Sequence, residues 1–247
     1  MANWSDPRIA GAPLGAAAGT QSAAYDAGLR SYMLSVYNYM ASGVLLTGIV
    51  ALLFAPYAQA TLINETGRGL SGLGWIVSLS PLAFVLALNF GINRMSTFAA
   101  QATFWGFATV MGLSMSTIFL VYTATSVAQT FFATAAAFAG LSLWGYTTKK
   151  DLSGFGTFLI MGVVGLLVAM IINIFWPSRP MALAISFIGV LLFAGLTAYD
   201  TQRIKSMYSY VAGTDMMGKT VIMGALSLYL DFVNMFQFLL SFMGSRD

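Results

Sequence analysis

The sequence contains no cysteine and no histidine. The first absence excludes disulfides, thiolate nucleophiles and zinc–sulfur sites. The second removes the usual general base, the commonest metal ligand and the usual physiological pH switch. Any titration near neutral pH must therefore fall to carboxylates displaced from their ordinary range. Charge is scarce as well. Only 8% of the 247 residues are Asp, Glu, Lys or Arg, against about 25% in a soluble domain. Eleven basic and eight acidic side chains cannot cover a globule of this size. With 58% hydrophobic residues and a mean hydropathy of +0.80, the chain reads as an all-α polytopic membrane protein. The net charge of +3 is small, so it is read as topology and not as affinity for nucleic acid.

Residues 1–30 are rich in Ala, Gly and Ser and carry Pro7 and Pro13. They read as a polar, mobile tail preceding a transmembrane domain at 31–247. No apolar h-region precedes Tyr32, so the first apolar run is expected to be an uncleaved anchor. Runs near the roughly 20 residues a spanning helix needs fall at 32–55, 76–93, 102–123, 127–147, 155–176, 181–202 and 221–243. That predicts seven spans. The weakest division is "TATS", between the third and fourth. Placing the N-terminus in the cytoplasm puts Arg8, Arg30, Arg94, Lys149, Lys150, Arg203, Lys205 and Lys219 inside. Arg68, Arg179 and Arg246 then fall outside, and eight against three favours this orientation. Recurrent small residues within the spans, among them Gly106, Gly112, Gly140 and Gly165, suit close helix packing.

Two acids lie too deep for a lipid-facing helix. Asp200 precedes Arg203 and Lys205 at the cytoplasmic end of the sixth run. Asp231 lies ten residues into the seventh, about 15 Å from its start and near the bilayer midplane. A charge there costs about 2.5–3.5 kcal/mol on insertion scales, so it must face protein or water. Ser227 and Asn234, at helical spacing from Asp231, make that face polar. Arg94 ends the second run on the same side of the membrane, so two acids and one base could converge. Close carboxylates titrate as a unit.

The segments "AGLTAYDTQRIK" (194–205) and "LSLYLDFVNMF" (226–236), with "NRMS…AQATFWGFATVMGLSMSTIFLVYT" (93–123), resemble the Bax inhibitor-1 family. The likeness runs from about residue 30 to 243. It implies a seven-helix fold whose last helix is wrapped by the other six. It also implies a pH-gated calcium leak, with an acid pair matching Asp200 and Asp231 and a latching arginine matching Arg94. The ending "FMGSRD" lacks the lysine-rich C-terminus of some eukaryotic members, which points to a bacterial-type member in an inner (plasma) membrane.

The leading expectation is therefore a non-enzymatic calcium leak in the lipid bilayer, with Asp200 and Asp231 as weak, transient calcium contacts and no cofactor. Calcium prefers six to eight oxygens. Two aspartates with Ser, Thr and Asn side chains make only a weak site, which suits an ion that must also leave. A second expectation is a regulator or partner of a membrane-bound AAA protease, with residues 1–30 as its handle. A remote third is an intramembrane aspartyl protease, for which "AYD" fits. Its GxGD and PAL motifs are absent.

Overall fold

The computed structural model describes residues 14–67 and 69–245, with side chains from residue 23 onward. Arg8, Arg68 and Arg246 lie outside the described residues. Seven helices follow in order: α1 (Leu14–Leu62), α2 (Gly72–Gly91), α3 (Thr97–Met115), α4 (Ala124–Thr147), α5 (Ser153–Phe175), α6 (Arg179–Val211) and α7 (Met216–Met243). A short 3-10 segment, Ser116–Leu120, extends α3. All seven helices are long and apolar enough to cross a membrane. Helices suit lipid because each satisfies its own backbone polar groups.

The helix ends are written in the sequence. The hydroxyls of Ser71, Ser96 and Thr123 accept hydrogen bonds from the amides of Gly74, Ala99 and Ser126 at 3.0, 3.1 and 3.1 Å. These N-caps satisfy orphan donors at the starts of α2, α3 and α4. Pro180 occupies the first turn of α6, where its missing N–H costs nothing.

α7 is the centre. Its most apolar window is 67% buried, against 11% for α5, whose large side chains face outward. The principal partners of α7 are α1, α3, α4 and α6; α2 packs on α1 and α3, and α5 on α6. The wrapping is thus a ring of four helices with α2 and α5 outside it, rather than an even ring of six. The C-terminal end of α7 is fastened to the start of α4. The amide of Ser245 donates to Ser126 Oγ at 2.9 Å, and the amide of Thr123 donates to the carbonyl of Ser245 at 3.3 Å.

Two expectations are revised. Residues 14–30, read as part of a mobile tail, continue α1 as helix. The segment after Pro13 is alanine-rich and proline-free, which favours helix whatever its lack of a core. Leu29 is buried, and Gly28 lies against the hydroxyl of Tyr208 on α6. Residues 1–13 of that expected tail lie outside the described residues. Close packing through small residues holds at Gly112, which meets the backbone of Thr47, but Gly140 and Gly165 face open space.

Candidate functional site

α6 and α7 form an antiparallel hairpin. They are joined by a turn in which Gly213 adopts φ 74°, a conformation few other residues accept. Counted from this turn, Asp231 lies about one helical turn deeper than Asp200, roughly 6 Å along the axis. The hairpin therefore brings the two acids into one region of the bundle. Asp231 is 4% exposed and sits among Leu228, Tyr229, Phe232 and Met235. Its Oδ2 is buried without a hydrogen-bond partner among the described residues. Leaving such an atom unpaired costs about 1–3 kcal/mol, more when charged.

Asp200 is half-buried, and its immediate neighbours are all fixed. Ala198 lies with its backbone against Gly145 of α4, and the ring of Tyr199 lies against Gly156 of α5. Thr201 Oγ1 shares a hydrogen bond of 2.9 Å with Ser142 Oγ, which in turn meets Tyr37 Oη at 2.7 Å. Gln202 accepts from the amide of Leu152 at 2.9 Å and donates to the carbonyl of Lys150 at 2.8 Å. Residues 198–202 are thus held by α1, α4, α5 and the α4–α5 loop. The cation that interacts with Asp200 is Arg203, three residues along the same helix.

Arg94 is placed differently from the expectation. α2 ends at Gly91, and Arg94 stands exposed in the turn before Ser96, its amide donating to the carbonyl of Gly91 at 2.9 Å. Among the described residues no ion pair joins Arg94 to either acid. Asn234 donates to the carbonyl of Leu230 in its own helix at 2.8 Å. It lines a second cavity of about 430 Å³ between α5, α6 and α7, with Gln237, Ser186 and Ser241. Ser227 is half-buried. The polar neighbours that sequence reasoning missed are Arg203, Thr201, Ser142 and Tyr37. The spacing of three from Asp200 was available for Arg203; the other three meet only once α1, α4 and α6 are assembled.

Among the described residues no group of three or more acidic side chains is placed to hold a metal. Two carboxylates and a neighbouring cation can exchange a proton and can meet a passing cation weakly, but they cannot make a tight calcium site. The α4–α5 loop holds a further acid outside the spans. Asp151 Oδ1 accepts from the amide of Ser153 at 2.9 Å, and the Ser153 hydroxyl together with this amide holds its carboxyl below the usual range.

Comparison with known proteins agrees with this architecture. The chain is 45% identical over 224 residues to an uncharacterized protein of Rickettsia prowazekii, covering 90% of this chain and 92% of the relative. It is 47% identical over 228 residues to an uncharacterized protein of Caulobacter vibrioides, covering 90% and 91%. It is 42% identical over 222 residues to the inner membrane protein YbhL of Escherichia coli K12, covering 89% and 94%. None of these three carries an enzymatic description. The family model described as "Inhibitor of apoptosis-promoting Bax1" matches residues 29–247, and the chain belongs to that family, the Bax inhibitor-1 family.

Proposed function

We propose that the protein is a pH-sensitive calcium leak of the bacterial inner membrane, with its N-terminus in the cytoplasm and its gate at the Asp200–Asp231 pair. The observation that carries this reading is Asp231 itself: a buried carboxylate at the middle of the central helix, unpartnered at Oδ2 and on the α7 arm of the hairpin whose α6 arm carries Asp200. An acid kept at this cost in a membrane is a functional group by default. Ionising both acids sets two like charges across the α6–α7 interface; a shared proton removes one and lets the carboxyls hydrogen-bond. The packing of α6 on α7 then depends on proton occupancy. A coupling of about 1–3 kcal/mol changes the open population roughly 5–150-fold. Asn234, Gln237, Ser186 and Ser241 place polar groups in the otherwise apolar cavity on the other side of α7. Arg203, adjacent to Asp200, takes the latching role first assigned to Arg94.

Calcium flux into proteoliposomes, measured from about pH 5 to 8, tests this reading in wild type, Asp200→Asn and Asp231→Asn. Each substitution should flatten the pH dependence. Retention of the wild-type profile in both would overturn the assignment of the gate.

A further inference from the structure

A cavity of about 810 Å³ runs between α1 and α4, with Phe232 of α7 as its floor. Its size falls within the roughly 300–1,000 Å³ of ligand sites. α1 and α4 both pack on α7 but are not principal partners of one another, so the space between them opens sideways to the bilayer. Leu34, Leu45 and Leu143 stand exposed along it. Midway along its wall, Tyr37 and Ser142 are bonded to each other and need no ligand.

Three features identify the occupant. The first is length. The wall of α1 runs from Arg30 to Leu45 and that of α4 from Tyr146 to Phe131. Fifteen residues of helix span about 22 Å. Half of a bilayer, headgroups included, is about 20–22 Å. The groove is therefore one leaflet deep. The second is charge. Arg30 closes one end, exposed and with no hydrogen bond or ion pair to another described residue. Lys149 and Lys150 follow the end of α4 on that side, against Asp26 on α1 and Asp151, the latter already accepting from Ser153. The third is the lining below that end, apolar except for the mutually bonded Tyr37 and Ser142 and the ring of Tyr146. An apolar trough one leaflet long, with a free cation at the headgroup level, matches a single amphiphile aligned with the membrane.

We propose that this groove binds one phospholipid with an anionic headgroup, its acyl chain lying between α1 and α4 on Phe232 and its phosphate at Arg30. The lipid completes the wall of α7 that α1 and α4 leave open, beside Asp231.

The test is native mass spectrometry of the purified, delipidated full-length protein. The probes are phosphatidylglycerol and phosphatidylcholine with identical chains. Wild type should retain one phosphatidylglycerol about fivefold more strongly than phosphatidylcholine, the worth of one cation at a membrane surface. Arg30→Gln should abolish that preference while chain binding persists. Ala41 and Ala139 line the groove and are exposed, so Ala41→Trp and Ala139→Trp fill it without entering the core. Each should weaken retention of both lipids about tenfold or more, in protein whose helicity and elution match wild type. Equal retention of both lipids by wild type, a preference that survives Arg30→Gln, or unchanged retention in the tryptophan variants would each overturn the proposal.

Discussion

Gly145 of α4 lies directly against the backbone carbonyl of Ala198 on α6, two residues before Asp200. A methyl group there would meet main-chain atoms, which cannot rotate away. Gly145→Ala should therefore push α6 off α4 and destabilise the protein by about 1–3 kcal/mol, the usual cost of overpacking. Thermal unfolding in detergent checks this. Gly140→Ala, on the same helix but facing open space, serves as the neutral control.

Asp231 should trade stability for function. Asp231→Leu replaces a buried, partly unpartnered acid with an apolar side chain of the same branching and somewhat larger volume. It should stabilise the fold by about 1–3 kcal/mol while removing the pH response of calcium flux. A loss of stability in reversible unfolding would show that the carboxyl is a structural anchor.

The two arginines should separate. Arg203→Gln should move the midpoint of the flux–pH profile, because Arg203 interacts with Asp200. Arg94→Gln should leave it in place, because Arg94 is exposed in the α2–α3 turn. A shift on Arg94→Gln and none on Arg203→Gln would return the latch to Arg94.

The α4–α5 loop carries its own pH dependence. The carboxyl of Asp151 is held below the usual carboxylate range by the hydroxyl and amide of Ser153. A depressed folded value means that the contact contributes fully above the unfolded pKa and is lost as pH falls through the folded one. Amide exchange at Ser153, corrected for intrinsic rate, should thus show protection at pH 5 that is lost toward pH 3. Asp151→Asn should show reduced protection at both.

Orientation is tested by reporter fusions. Those placed after Lys150 should report as cytoplasmic and those after Arg68 as external. The reverse would move the acid pair to the opposite leaflet.

The number of spans was legible because it follows from runs of apolar residues of a fixed length; α7 starts at Met216, so Asp231 lies five residues further from its start than the apolar run from Val221 indicates. The true reach of α6 was not legible. Its last turns, through Ser206 and Ser209 to Val211, are too polar for an apolar run to extend into, yet they remain helical. The start of α1 at Leu14 was hidden for the same reason. Arg94 looked like a partner because it shares a membrane side with the acids. Depth alone does not distinguish a turn from a bundle interior, and α2 stops three residues short of it. The lateral groove was illegible because neither α1 nor α4 reveals in sequence that it leaves the other uncovered.

Gln202 is bonded at both ends of its amide to the α4–α5 loop, at Leu152 and Lys150, and lies two residues from Asp200. A helix so fastened cannot tilt at its acid without dragging that loop. The loop thus works as an external pointer, transmitting a displacement inside the bundle to a stretch of chain in contact with water. A fluorophore placed at Lys149, beyond the pair itself, would read movement of α6 at the proposed gate without touching the acids.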